Sequence, residues 1–139
     1  FRSGTYSGIM RYLKEKKSEI RGVLADPIGS TMGGGEHGDY NIEGIGNDFI
    51  PDTMDMSFAD KIIKVTDAEA FVASRELARR EGIFAGSSSG AAFAASKKLA
   101  LELESNGTVG EFVNSGRSIN IVTLFPDRGD RYFSKKLYE

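Results

Sequence analysis

Three consecutive serines between two glycines, at residues 86–90 (GSSSG), are the side chains in this 139-residue sequence best placed to do chemistry. A serine hydroxyl both donates and accepts hydrogen bonds, so it can face a ligand or cap the helix that follows. The glycines allow positive φ or a close approach to a ligand. Apolar residues lie on both sides, at 83–85 and 91–95, which disfavours a flexible linker. From these residues alone, a ligand-facing loop and a simple helix cap are equally acceptable.

A second segment that could bind a ligand lies at the start of the sequence, where residues 3–8 (SGTYSG) lead into a helical pattern. A phosphate binds at a helix N-terminus whose N–H groups have no side chains in front of them. Gly4 and Thr5 could supply such a site, although a plain N-cap explains them equally well.

Three short apolar runs predict the strands that must position these segments. The runs lie at residues 20–25, 61–65 and 119–125, and the last of them (INIVTLF) indicates a buried strand. Asp26 and Pro27 are expected to end the first strand. Residues 28–41 are rich in glycine and show little periodicity, which is typical of a long and often functional loop.

Helical periodicity fills most of the intervals between these strands. In the first helix, Ile9, Met10 and Leu13 share one face. A second helix is capped by Thr66 or Asp67. The other helical predictions are an inward face of Phe71, Leu77 and Ala78 on the second helix, a third helix from the serines to residues 105–107, and a short helix at residues 130–137.

The alternation of strands and helices predicts an α/β fold with a largely parallel sheet. In such sheets, ligands bind at the carboxyl ends of the strands. The three glycine-rich segments, at residues 3–8, 43–51 and 86–90, follow strands or open helices. They can therefore converge on one edge of the sheet.

Composition and charge argue against several kinds of partner and site. The net charge of −2 gives no electrostatic case for nucleic acid or an anionic membrane as partner. The sequence has no cysteine, so it offers no disulfide, no thiol nucleophile and no thiolate metal site, and its single histidine cannot build a zinc site alone; we expect no metal site. His37 lies in a polar glycine-rich loop, where we expect it to be exposed and without a catalytic role.

The sequence shows no secretory signal and no apolar run of about 18 residues, so a cytoplasmic location is the default expectation. It opens at Phe1 and enters a helical pattern within a few residues. We therefore expect a fragment whose preceding strand is missing.

Four segments, in order and spanning nearly the whole sequence, resemble the pyridoxal-phosphate-dependent cystathionine β-synthase and cysteine synthase family, of fold type II. The segments are SGTYSGIMRYLKEKK at 3–17, IEGIGNDFIP at 42–51, EGIFAGSSSGAAFAASKKLA at 81–100 and LFPDRGDRYFSK at 124–135. Glu43 in the second segment, and the LFPD and YFSK parts of the fourth, resemble cystathionine β-synthase more than cysteine synthase.

The resemblance implies a three-layer α/β fold, a largely parallel sheet flanked by helices, with pyridoxal 5′-phosphate as cofactor. It places Gly4 and Thr5 at the cofactor phosphate. It places Ser88 at the pyridine nitrogen, where a neutral hydroxyl does not force protonation of the ring as an aspartate would. The substrate side falls to Glu43, Gly44 and Gly46, although Glu43 could equally be a solvated loop residue.

A structural role is implied for Asp127, which would shape the turn near the ring. Two departures from the family pattern are evident. The family's phosphate loop reads Gly-Thr-Gly-Gly-Thr, whereas Phe1, Arg2 and Ser3 precede Gly4 here, and Arg128 replaces a small residue.

The family's Schiff-base lysine lies upstream of the matching region, and no lysine of this sequence sits in a matching motif. Residues 1–139 therefore resemble the C-terminal α/β portion of such an enzyme, and the isolated chain is expected to be inactive. It would need the upstream domain and is expected to form a homodimer.

The implied activity is β-replacement on serine or O-acetylserine with a thiol, either homocysteine or sulfide, so small amino acids are the expected partners. Three alternatives stay open at this point. They are a catalytically inactive scaffold or interaction fragment of the same fold, cysteine synthase proper, and a serine or threonine dehydratase.

Overall fold

The structure of the chain, a computed structural model, describes residues 3–135 and 137–138, and the side chains of 133–135 are not considered. Along this part, helices surround a small parallel sheet. The elements are α1 (Ser3–Lys16), β1 (Val23–Pro27), β2 (Lys61–Val65), α2 (Asp67–Glu81), α3 (Ser87–Ser105) and α4 (Thr108–Asn114), with short 3₁₀ helices at Met56–Phe58 and Gly129–Lys135.

Strands β1 and β2 pair in parallel, with Val23 opposite Lys61 and Pro27 opposite Val65. The predicted strand at 61–65 is confirmed. The prediction that Asp26 and Pro27 end the first strand is wrong, because β1 begins at Val23 and continues through both residues. Proline is tolerated here because it is the last residue of its strand, and the ladder resumes when the N–H of Ile28 donates to the Val65 carbonyl at 2.9 Å.

Side chains alternate between the two faces of this sheet, as the two-residue period of a strand requires. One face packs against helices α2 and α3. Its cluster contains Val23, Ala25, Ile63 and Val65 from the strands, with Ala70, Ala73, Ala91, Ala94 and Ala95 from the helices. The other face carries Leu24 and Ile62, which pack with Tyr6 of α1 and with methionines from the intervening loop. Helices thus cover both faces, and the predicted three-layer α/β fold is confirmed.

Helices α2 and α3 approach closely because small residues line their contact. A Cβ on Gly90 would lie 2.1 Å from the Ala70 carbonyl oxygen, so only glycine fits there. Thr66 caps α2 in a capping box with Glu69. Of the two predicted caps, Thr66 and Asp67, the first is therefore confirmed. Leu77 is buried, as predicted, and α3 ends at Ser105, within the predicted range.

The predicted buried strand at residues 119–125 is wrong. Val122 is 87% exposed, and among the described residues no backbone hydrogen bond joins this segment to another. Ile121, Thr123 and Phe125 instead line a groove against α3, where the Phe125 ring meets Phe93 edge-on at 6.4 Å. The side chains of this segment still alternate between a side that faces α3 and an exposed side. A strand, however, also needs a neighbouring strand to pair with its N–H and C=O groups, and neither β1 nor β2 pairs with this segment.

Two smaller predictions also need correction. Ile9 is 37% exposed, and the buried side chains of α1 are Ser7 and Met10. The face of α1 toward the sheet is therefore rotated from the one that periodicity indicated. The short helix predicted at 130–137 is a 3₁₀ helix, Gly129–Lys135.

Candidate functional site

A cavity of about 870 Å³ opens between the first turn of α1 and the loops after β1. It is lined by Ser3, Gly4, Thr5, Met32, Tyr40, Ile42, Gly44, Ile45, Gly46, Asn47, Pro51 and Thr53. The structure thus brings the predicted phosphate residues Gly4 and Thr5 together with the predicted substrate-side residues Gly44 and Gly46. The cavity lies near the carboxyl end of β1, since a Cβ on Gly46 would lie 3.0 Å from the Pro27 ring.

The α1 side of the cavity suits an anion. Gly4 and Thr5 lie in the first turn of the helix, where main-chain N–H groups have no partner within the helix, and no acidic residue lies in that turn. The Ser3 hydroxyl is 2.9 Å from that of Thr53, on the same wall. The departures predicted at Phe1 and Arg2 lie outside the described residues.

The opposite wall is the loop that carries Gly44 and Gly46. Both glycines adopt positive φ, at 85° and 80°, a region that side chains disfavour. At Gly46 a Cβ would also lie 2.8 Å from the Tyr40 hydroxyl oxygen, so the tyrosine packs directly on this loop. Burial, and then the charges of Asp48 and Asp26, raise the pKa of Tyr40. Its phenol therefore remains a neutral wall of the cavity at physiological pH.

Glu43 lies beside the cavity rather than among its lining residues. Its side chain is exposed, and its main-chain N–H donates to Oγ of Ser87 at 3.1 Å. This hydrogen bond ties the glycine-rich loop to the serine segment. The structure thus places the predicted substrate side next to the predicted ring-nitrogen side.

The three serines form the first turn of α3 rather than a loop, and all three are buried. Ser87 accepts from the Glu43 N–H, and Ser89 donates to the carboxylate of Asp127. Among the described residues, no hydrogen bond involves the hydroxyl of Ser88, which is 3% exposed. Every fully enclosed side-chain oxygen in this part of the chain has a partner, so the Ser88 hydroxyl keeps contact with solvent. Of the three, Ser88 is the one available to a ligand.

The cap of α3 comes from far along the chain, and not from one of the serines. Gly86 is the N-cap residue and provides no side chain. Asp127 supplies the capping contacts instead. Its Oδ1 accepts a hydrogen bond from the Ser89 N–H at 3.2 Å, and its carbonyl accepts one from the Gly86 N–H at 3.2 Å. A carboxylate at this end also suits the helix dipole. Asp127 therefore has a structural role at the start of α3, while its predicted place beside the cofactor ring stays a prediction.

Glycine is required at position 86 by close contact. A Cβ there would lie 2.1 Å from Oδ2 of Asp127 and 2.2 Å from the ring of Tyr132. The Tyr132 hydroxyl donates to the same Oδ2 at 2.5 Å. Sequence reasoning gave Tyr132 no role, although this residue opens the YFSK part of the fourth segment, five residues after Asp127.

A buried ion pair under the cavity was also missed. The Asp26 side chain accepts from Lys64 Nζ at 2.5 Å, from the Ser30 hydroxyl at 2.8 Å and from the Gly33 N–H at 3.0 Å. Ser30 in turn accepts from the N–H of Asn47, a cavity residue, at 3.0 Å. The Asp-Pro pair had indicated a turn, so nothing in the sequence marked Asp26 as a buried charge.

His37 is exposed, as predicted, and its Nδ1 lies 3.1 Å from an Asp48 carboxylate oxygen, outside the cavity lining. In residues 3–135 and 137–138, no group of three or more metal-binding side chains is placed to hold an ion. Within the same part of the chain, no helix has the length and apolar character needed to cross a membrane.

Comparison with known sequences gives a consistent family. A family model described as pyridoxal-phosphate dependent enzyme matches residues 2–115. The O-acetylserine dependent cystathionine beta-synthase of Bacillus subtilis (strain 168) is 46% identical over 136 residues, which is 98% of this chain and 40% of that protein. A cysteine synthase of Helicobacter pylori (strain J99 / ATCC 700824) is 41% identical over 135 residues, 97% of this chain and 40% of that protein.

Solved structures agree with the sequence comparison. The crystal structure of O-acetylserine dependent cystathionine beta-synthase from Helicobacter pylori superposes with a TM-score of 0.82 at 41% identity, over 99% of this chain and 41% of that one. The crystal structure of cysteine synthase from Entamoeba histolytica superposes with a TM-score of 0.82 at 37% identity, over 98% of this chain and 37% of that one. The chain thus spans about 40% of the length of the curated relatives it matches.

Proposed function

The chain belongs to the family of pyridoxal-phosphate dependent enzymes, and we propose that it forms the C-terminal portion of one that catalyses β-replacement on serine or O-acetylserine with a thiol. The observation that carries this proposal is the single cavity that joins the first turn of α1 to the Gly44–Gly46 wall. The names of the two relatives, which act as O-acetylserine dependent cystathionine beta-synthase and as cysteine synthase, support the substrate class.

The residues present fit the cofactor. The main-chain N–H groups of Gly4 and Thr5, in the first turn of α1, would hold its phosphate, and the hydroxyl of buried Ser88 would meet its pyridine nitrogen. When bound, pyridoxal phosphate supplies an electron-withdrawing ring that activates an amino acid for loss of its β-substituent. A neutral serine leaves that ring less electron-withdrawing than an aspartate would, which suits replacement at the β-carbon.

The chain's own residues position the substrate and shield it. Gly44 and Gly46 present main chain and no side chain to the cavity wall, and the neutral phenol of Tyr40 packs against this loop at Gly46. Glu43 places a negative charge beside the cavity, which would favour a second substrate that carries an amino group, such as homocysteine over sulfide.

The rest of the enzyme is proposed to come from residues outside these 139. They would supply the Schiff-base lysine, since none of the lysines here lies in a matching motif. We place the enzyme in the cytoplasm as a homodimer, acting in transsulfuration and cysteine biosynthesis. The isolated chain is expected to be inactive.

Replacement of Ser88 by Ala in the full-length enzyme tests the proposal. We expect the cofactor to stay bound, as followed by its visible absorbance, while kcat for thioether formation from O-acetylserine and homocysteine falls. Ser96→Ala is the matched control, because its hydroxyl donates to the Ala92 carbonyl at 2.8 Å within the same helix.

Three results would count against the assignment. If the full-length protein bound no pyridoxal phosphate, a non-catalytic scaffold of the same fold would be favoured. If Ser88→Ala kept full activity while Ser87→Ala or Ser89→Ala lost it, the ring-nitrogen role would belong to another serine. Release of a keto acid from serine without a thiol would favour a dehydratase.

A further inference from the structure

Asp67 is the first residue of α2, yet its carboxylate accepts hydrogen bonds from the cavity loop, residues 40–47. Its Oδ1 accepts from the Asn41 N–H at 2.9 Å and from the Ile42 N–H at 3.2 Å. Its Oδ2 accepts from the Asn41 N–H and from the Asn41 side-chain amide, both at 2.8 Å. Because Thr66 caps the helix, the Asp67 carboxylate is left to hold the loop.

The cavity loop needs such a hold because much of its length is glycine. Gly44 and Gly46 both lie on the cavity wall with positive φ, and glycine leaves the backbone free to adopt many conformations. The path of this segment therefore depends on contacts that fix its two ends. The far end is fixed at Asn47, whose N–H donates to Ser30 Oγ at 3.0 Å.

The near end of the cavity loop is fixed by a charged acceptor. Hydrogen bonds to an ionised carboxylate are roughly twice as strong as those between neutral groups, and the Asp67 carboxylate forms four such contacts with two consecutive residues. Ile42 is also held through its side chain, which is 2% exposed and packs in the core between the sheet and helices α2 and α3. The next contact along the loop, from the Glu43 N–H to Ser87 Oγ, involves a neutral oxygen.

We propose that Asp67 is a positioning residue that holds the start of the cavity loop, so that Gly44 and Gly46 present their main chain to the amino-acid substrate. This inference rests on the proposed function, because that function assigns the Gly44–Gly46 wall to the substrate. Asp67 does not line the cavity. It acts through Asn41 and Ile42, and it is anchored because it begins a helix directly after β2 and Thr66.

Asp67→Ala in the full-length enzyme tests the inference. Amide hydrogen exchange at Asn41 and Ile42 should accelerate at least about tenfold, the size expected for loss of a hydrogen bond to a charged acceptor. Amides in the centre of α2 should exchange as in wild type, because Thr66 still caps the helix. KM for O-acetylserine should rise more than kcat falls, since the loop and not the chemistry is disturbed.

Asp67→Asn is the second variant, and it carries the test if Asp67→Ala fails to fold. An asparagine keeps one oxygen that can accept from the loop but loses the charge and the second acceptor oxygen. Exchange at Asn41 and Ile42 should therefore accelerate in this variant too, by a smaller factor than in Asp67→Ala.

Thr66→Ala is the matched control, because it removes the neighbouring side chain and leaves the Asp67 carboxylate in place. The Thr66 hydroxyl accepts from the Glu69 N–H at 3.1 Å, within the first turn of α2. Its loss should lower the urea midpoint of the enzyme. Exchange at Asn41 and Ile42, and KM for O-acetylserine, should stay at their wild-type values.

The outcomes separate this inference from the proposed function. Wild-type exchange at Asn41 and Ile42 in both Asp67 variants would overturn the positioning role and leave β-replacement standing. Equal acceleration in the loop and in the centre of α2, or the same loop acceleration in Thr66→Ala, would also overturn it, because the effect would then come from the stability of the helix. Faster loop exchange with an unchanged KM would show that the loop is held but not for the substrate, which again overturns it. Accelerated exchange confined to the loop, in a protein without β-replacement activity, would support the hold on the loop and overturn the function.

Discussion

Lys64 Nζ lies 2.5 Å from the carboxylate of Asp26, whose side chain is fully buried at the end of β1. The same ammonium donates to the Ser30 carbonyl at 2.7 Å. Ser30 bonds to Asn47, which lines the cavity. The pair therefore ties the sheet to the loops that form the site.

We expect Lys64→Met to destabilise the full-length protein by about 3 kcal/mol, because it leaves a buried carboxylate without its counter-charge. This value is at the lower end of the usual destabilisation for breaking a buried ion pair, because Lys64 is partly exposed. The double variant Lys64→Met with Asp26→Leu should lose less than Lys64→Met alone. Urea unfolding measures both, and an equal or larger loss in the double variant would contradict the account.

Acid sensitivity should depend on Asp60. Its hydrogen bond from Lys14, and then that from the Gly22 N–H, both at 2.7 Å, lower the pKa of this carboxyl below its ordinary value. A lowered folded-state pKa adds stability at higher pH, and this is lost as pH falls through about 4 and below. The melting temperature of Asp60→Asn should therefore depend less on pH between about 5 and 3 than that of wild type.

Asp52→Asn serves as the control for this pH experiment, since Asp52 is an exposed aspartate in the adjoining loop. The decrease in melting temperature of this variant at acid pH should match that of wild type. Parallel acid limbs for wild type and Asp60→Asn would show that Asp60 gains nothing from Lys14 and Gly22.

Glu43→Gln should change substrate preference rather than fold. We expect kcat/KM for homocysteine to fall about two- to fivefold, the size of a partly exposed ion pair, and kcat/KM for sulfide to stay constant. Glu36→Gln changes an exposed glutamate of the neighbouring loop and should leave both values unaltered. An equal loss for the two thiols, or no loss, removes Glu43 from the substrate side.

The isolated 139-residue chain should associate with itself. Val122 and Leu124 are exposed on a segment whose main chain makes no backbone hydrogen bond to another described segment, an arrangement that favours edge-to-edge pairing. Val122→Lys should reduce association in sedimentation velocity. Val72→Lys, at an exposed position on helix α2, should not. A monomeric isolated chain that binds no apolar dye would refute this expectation.

Local chemistry decided which predictions succeeded. The capping box at Thr66 and the strand β2 depend on residues that are adjacent in the sequence, so both could be predicted. The segment at 119–125 alternates like a strand, yet pairing depends on a neighbour that the local sequence does not contain. Asp127 and Ser89 are 38 positions apart, and spacing of that kind predicts no contact.

Because the cap of α3 comes from Asp127, the first turn of this helix can be capped only after Asp127 has been synthesised. A ribosome adds roughly 5–20 residues per second, so Asp127 follows Ser89 out of the tunnel roughly 2–8 s later, given the 38 positions between them. Throughout that interval the first turn of α3 lacks the carboxylate that accepts from the Ser89 N–H. Ser88, which we propose to meet the cofactor ring, thus reaches its final surroundings only once Asp127 has been made, after the sheet and the glycine-rich loops have emerged.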